Sequence, residues 1–150
     1  MTSSQPLAVG PIGTGRMGSF HAETLARRLP GVRLAALADP APGAARRLGE
    51  RLGSSTAHTD AADLLADPKI DAVVIATPAR THADLVEAAA RAGKAVYCEK
   101  PMAITLADDR AITAAEKAGV PLQVGFNRRY ERRSALRTTR SPPAESAPRS

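Results

Sequence analysis

Apolar positions along this chain follow two alternating patterns, short β-branched or aliphatic runs and longer stretches of helical period. Leu7-Ala8-Val9-Gly10-Pro11-Ile12 reads as a first strand. Met17 to Leu29 reads as a helix, with Phe20, Leu25 and Leu29 at helical spacing. Val32 to Ala38 is a second strand, residues 43–52 a helix rich in Ala and Arg, and Thr56-Ala57-His58 a weak third strand. Asp60 is placed to cap a short helix carrying Leu64 and Leu65. Ile70 to Ala76 is a β-branched run of the kind buried on both faces of a parallel sheet, and Thr77-Pro78 breaks it. Thr81 to Ala92 is helical and stops at Gly93. Ala95 to Cys98 is a fifth strand, Leu106 to Ala118 a helix ended by Gly119, and Leu122 to Phe126 a sixth strand.

Strict alternation of strands and helices predicts parallel βαβ units with right-handed crossovers. The fold class is therefore α/β, a doubly wound parallel sheet of the Rossmann dinucleotide-binding kind, with strand order 3-2-1-4-5-6. Pro11 sits badly in this scheme. It removes a ladder donor from a strand that should be central, so either the pairing is already irregular beside it or the domain is weakened there.

After Arg129 the pattern stops. Residues 131–150 have one leucine as their only large aliphatic residue and contain Pro142, Pro143 and Pro148. Such a segment buries too little apolar area to offset its ordering entropy. The expected organisation is one domain over residues 1–130 and a disordered basic tail over 131–150. Residues 128–150 hold seven arginines and two glutamates, so five of the six net positive charges lie there and not on a folded face. With aromatics at 3 % and no Trp, base-stacking platforms are lacking, and no nucleic-acid partner is expected. A single cysteine, Cys98, excludes an internal disulfide and reads as a buried strand residue. No signal peptide or membrane span is apparent, which gives the expectation of a cytoplasmic chain without a membrane partner.

Gly13-Thr14-Gly15-Arg16-Met17-Gly18 is a G-x-G-x-x-G run that follows a strand and opens a helix. In that setting the glycines allow a tight turn, a close approach of backbone to diphosphate, and close helix packing. Free N–H groups at the positive end of the helix then face the anion. Asp39 ends the second strand, where a carboxylate accepts both ribose hydroxyls of an adenosine and repels a 2′-phosphate, so NAD is favoured over NADP. Asp39 could instead be a helix cap before Pro40, and Arg46 and Arg47 read as a solvated helix face.

Taken together, IGTGRMG (12–18), ADP (38–40), VVIATPARTHADLVEAAARAGKAVYCEKPMA (73–103) and VGFNRRY (124–130) resemble the Gfo/Idh/MocA oxidoreductases, most of all the inositol 2-dehydrogenase branch. The resemblance implies an NAD-dependent oxidation of a cyclic polyol or sugar hydroxyl. It implies that Lys100 is the catalytic residue, fixed by Glu99 and Pro101. Cofactor contacts are implied for Ile12, Gly13, Thr14, Gly15, Arg16, Met17, Gly18, Asp39, Thr77, Pro78, Glu99, Lys100 and Asn127. Independently of it, Thr77-Pro78 and Glu99-Lys100-Pro101 both follow strand ends, the edge where open parallel sheets bind ligands. An ammonium there can polarise a reacting hydroxyl and share its proton. His82, in the first turn of a helix, is structural by resemblance. His21 and His58 have no partner at metal-site spacing and receive no role, and no metal site is expected.

The family pattern ends at Tyr130. Family members continue into an α+β domain that holds the substrate, so the expectation is a chain truncated before that domain, with an out-of-frame tail in its place. A polyol or sugar would then be a partner only where a second domain is supplied, and NAD binding is expected without turnover. Apolar surface around the sixth strand should be exposed and favour association through the sheet edge. The competing reading is a non-catalytic nucleotide-binding module, either an NAD sensor or a remnant that pairs with full-length relatives.

Overall fold

A computed structural model describes residues 5–54, 56–102 and 106–125; Asn127 and the tail at 131–150 lie outside them. The elements run β1 (Leu7–Ile12), α1 (Arg16–Arg27), β2 (Val32–Leu34), β3 (Leu37–Ala38), α2 (Ala44–Leu52), β4 (Ala57–His58), α3 (Ala61–Ala66), β5 (Ala72–Ile75), a 3-10 turn (Ala79–Thr81), α4 (His82–Arg91), β6 (Ala95–Glu99), α5 (Leu106–Ala118) and β7 (Leu122–Gly125). All described pairings are parallel, in the order β4-β3-β1-β5-β6-β7 with β2 beside β1. Since β2 and β3 are the two pieces of the expected second strand, this is the 3-2-1-4-5-6 order of a Rossmann sheet.

The break in that second strand accounts for Pro11. Val9 pairs with Leu34 and Ile12 with Ala38. Gly10 and Pro11 therefore stand opposite Ala35, Ala36 and Leu37, a bulge of one residue. Pro11 is fully buried at the bulge, where its missing N–H falls outside the regular ladder. On its other side β1 runs in unbroken register with β5, Pro11 facing Val74.

Successive strand residues alternate between two cores, as a pleated strand requires. Val73, Ile75, Val96 and Cys98 face α3, α4 and α5, where they pack with Leu64, Val86, Ala89 and Ala111. Val9, Val74 and Tyr97 face α1 and pack with Leu25. Leu37 meets Ala22 of α1 and Ala45 and Leu48 of α2 on the same side. Helix α1 runs from Arg16 to Arg27, where Met17 to Leu29 is expected. It buries Gly18, Ala22 and Leu25, spaced four and three apart, whereas Phe20 falls on the opposite face and is 55 % exposed. Leu29, beyond the last turn, is exposed as well. The expected helix over Thr81 to Ala92 begins as the 3-10 turn and becomes α4 only at His82.

On the α1 side, a groove of about 790 Å³ lies between α1 and β5, β6 and β7, lined by Leu25, Val74, Tyr97, Leu122 and Gln123 among others. At the amino edge of the sheet Lys94 is buried, its ammonium donating to the carbonyls of Asp67 and Ile70 at 2.7 and 2.8 Å. Asp60 caps α3 as expected, accepting from the Ala62 amide. Among the described residues no helix is long and apolar enough to cross a membrane.

Candidate functional site

Four neighbouring strands, β3, β1, β5 and β6, deliver the candidate residues to one carboxyl edge. Ile12 is the last residue of β1, Asp39 directly follows β3, Thr77 stands two residues past β5, and Glu99 ends β6. The glycine loop lies between them. Gly13 takes φ +95°, a conformation side chains rarely adopt, and a Cβ there would meet the Ala76 carbonyl oxygen at 2.7 Å. Its amide donates to the Ala38 carbonyl at 2.8 Å, which ties the turn to β3. A Cβ on Gly18 would collide with the Gly13 carbonyl oxygen, so the helix rests on its own loop and not only on the strand.

Gly15 is different, because a Cβ there would meet nothing within 4 Å. The space over the loop is open, and Gly15 is the N-cap of α1 without a side-chain cap. The N–H groups of the first turn, Arg16 to Gly18, have no acceptor within the helix. No acidic side chain neutralises that turn, and Arg16 is exposed at it. An uncapped helix start under open space fits a diphosphate.

Asp39 is bound to this loop. Its Oδ2 accepts from the amide and the hydroxyl of Thr14, both at 2.7 Å, and its Oδ1 accepts from the Ala41 amide at 2.8 Å. Burial pushes the carboxyl up, but the bonds from Ala41 and Thr14 pull harder, and the group sits below its ordinary value of 3.8. Asp39 thus both closes its own turn and reaches toward the glycine loop. Arg46 and Arg47 are exposed on α2, as expected.

At the other end of the edge, Thr77 and Pro78 begin the turn into α4, with Thr81 Oγ1 lying 2.7 Å from both Thr77 Oγ1 and the Pro78 carbonyl. Lys100 is exposed, and the Lys100-Pro101 peptide is cis. Glu99 is not exposed with it. Only 7 % of the residue is accessible, and its Oε1 lies 2.5 Å from His21 Nε2 on α1. Tyr97 and Glu99 share the α1 face of β6, and the His21 ring stands edge-on to Tyr97 with centroids 5.3 Å apart. His21 is the residue that the sequence reading missed. Its 78-residue separation from Glu99 leaves no local signal; only the placement of α1 across the α1 face of β6 creates the pair. His82 is buried, its ring between the carbonyls of Thr77 and Pro101. Cys98 is buried, as expected. Among the described residues no group of three His, Cys, Asp or Glu could hold a metal ion.

Residues 7–126 match a family model described as the oxidoreductase family, NAD-binding Rossmann fold. The chain belongs to the Gfo/Idh/MocA family. It is 42 % identical over 127 residues to the myo-inositol 2-dehydrogenase of Thermotoga maritima, covering 84 % of this chain and 38 % of that protein. It is 40 % identical over 121 residues to the scyllo-inositol 2-dehydrogenase (NAD(+)) of Bacillus subtilis, covering 80 % of this chain and 35 % of that protein. Among solved structures, scyllo-inositol dehydrogenase from Lactobacillus casei with bound NAD(H) and scyllo-inositol superposes with a TM-score of 0.81 at 29 % identity, over 88 % of this chain and 40 % of that one. This Gfo/Idh/MocA chain thus carries the family's NAD-binding Rossmann domain and spans about two fifths of the length of these relatives.

Proposed function

We propose that this chain binds NAD along the carboxyl edge of its sheet and provides the cofactor half of a dehydrogenase acting on a cyclic polyol or sugar hydroxyl. The observation that supports the reading best is the uncapped start of α1 beneath open space at Gly15, with Asp39 tied to the same loop. The amides of Arg16 to Gly18 would hold the diphosphate, and the Asp39 carboxylate would accept the adenosine ribose hydroxyls. Three of its roughly four acceptor positions are already engaged, so the Thr14 hydroxyl would have to turn away as the ribose arrives. Ile12, Thr14, Met17, Thr77, Pro78 and Asn127 would border the remainder of the cofactor.

When bound, NAD supplies the hydride acceptor. The chain's own contribution is Lys100, whose exposed ammonium would hold the reacting oxygen and share its proton, a step typically worth about 10²–10⁴-fold. Glu99 would act by fixing the strand end from which Lys100 projects, since its carboxylate is buried against His21. Substrate positioning can contribute roughly 7–11 kcal/mol, and no described residue beyond Lys100 is assigned to it. The 150-residue chain is therefore expected to bind the cofactor without turnover.

A titration of the chain with NADH, followed by nicotinamide fluorescence, tests the first part. Saturable binding that ADP-ribose competes away is expected, and absence of binding at millimolar NADH overturns the reading. Incubation with NAD and myo- or scyllo-inositol tests the second. No NADH should form, and steady formation would show that these residues suffice for catalysis.

A further inference from the structure

His82 opens α4 and is 1 % exposed. Its ring is aimed edge-on at two backbone oxygens, with Nε2 2.7 Å from the Thr77 carbonyl and Nδ1 2.9 Å from the Pro101 carbonyl. Those oxygens belong to the two segments that leave β5 and β6 at the carboxyl edge, one leading to Pro78 and the other following Lys100. Carbonyls only accept hydrogen bonds. A neutral imidazole has one N–H and can bond one of the two segments, while a doubly protonated ring bonds both. An aliphatic side chain of similar size would fill the space and donate to neither. The site asks for a donor, not only for volume.

The glycine loop is held by different bonds, from the Gly13 amide to the Ala38 carbonyl and from Thr14 to Asp39, none of which passes through His82. We infer that His82 is a positioning residue for the nicotinamide end of the site. Seated between the Thr77 and Pro101 carbonyls and donating to at least one of them, its ring sets the spacing between the Thr77-Pro78 wall and the Lys100 amine, without touching cofactor or substrate. The inference rests on the NAD-binding reading given above and extends it, because it divides the cofactor site into an adenosine end that does not depend on His82 and a nicotinamide end that does.

The test compares the full chain with His82→Leu and His82→Gln, each titrated with NADH and with ADP-ribose, which lacks the nicotinamide. His82→Leu should weaken NADH binding about tenfold and leave ADP-ribose within about twofold, as loss of a buried hydrogen bond at one end predicts. His82→Gln keeps an N–H donor and should recover part of the NADH loss. Equal losses for both ligands, no loss for either, or no recovery by Gln overturns the inference. Should His82→Leu fail to fold, His82→Gln is read alone. A selective NADH loss then supports the inference, and a uniform or absent loss overturns it. Unmodified chain that binds ADP-ribose as tightly as NADH removes the nicotinamide-end role and keeps the adenosine end. Unmodified chain that binds neither overturns the functional reading and this inference together.

Discussion

Two loops at the same edge of the sheet are held in place by different means. The Gly13–Gly18 loop is fixed largely by its own backbone: a left-handed turn at Gly13, a hydrogen bond from the Gly13 amide to β3, and a helix start that no side chain larger than hydrogen at Gly18 would allow. The Glu99-Lys100-Pro101 segment is fixed by side chains from two distant helices, His21 of α1 on Glu99 and His82 of α4 on the Pro101 carbonyl. A loop fixed mostly by its own conformation leans less on what surrounds it. A loop fixed by distant side chains keeps its shape only while the helices that carry them stay docked. The grip on a diphosphate is thus local, and the placement of the reactive lysine is a property of the whole domain.

That contrast can be broken from either side. The largest effect should come from Gly13→Val, which forces a β-branched residue to φ +95° and drives its Cβ into the Ala76 carbonyl. A loss of about 3 kcal/mol in urea unfolding and of measurable NADH binding is expected. His21→Ala should come next, at about 2–3 kcal/mol, because it leaves the Glu99 carboxylate buried without this partner. A change under about 0.5 kcal/mol would mean that the Glu99 segment does not lean on α1.

Asp39→Asn should cost less, about 1 kcal/mol of stability, and lower NADH affinity several-fold. Its signature is in acid. Because the folded carboxyl lies below its ordinary 3.8, its contribution is complete above that value and drains away as pH falls through the folded one. The stability gap between the unmodified chain and Asp39→Asn should therefore close below about pH 4, measured by urea unfolding at a series of pH values. Lys100→Ala should have the smallest effect, within about 0.5 kcal/mol, since the side chain is exposed. A large destabilisation would show that Lys100 is part of the scaffold and not a side chain free to meet substrate.

The same contrast governs what could be read from the residues alone. The strand order and the glycine loop were legible because they depend on local period and on backbone freedom, which a run such as Gly13-Thr14-Gly15 announces directly. Pro11 was legible as a conflict, and the bulge at Ala35–Leu37 is its resolution. Phe20 stands at helical spacing with Leu25 and supports the helix, but the buried stripe is defined by Gly18, Ala22 and Leu25. His21 could not be found, since its partner is set by how α1 crosses the sheet. The roles of Asn127 and the 131–150 tail lie outside the described residues.

The ammonium of Lys94, held by two carbonyls at the amino edge, has a practical consequence. The chain has four lysines, and Lys69, Lys100 and Lys117 are exposed while Lys94 is not. An amine-acylating reagent should mark those three and spare the fourth until the protein opens, so the mass of the peptide carrying residue 94 is a built-in gauge of native material in any preparation.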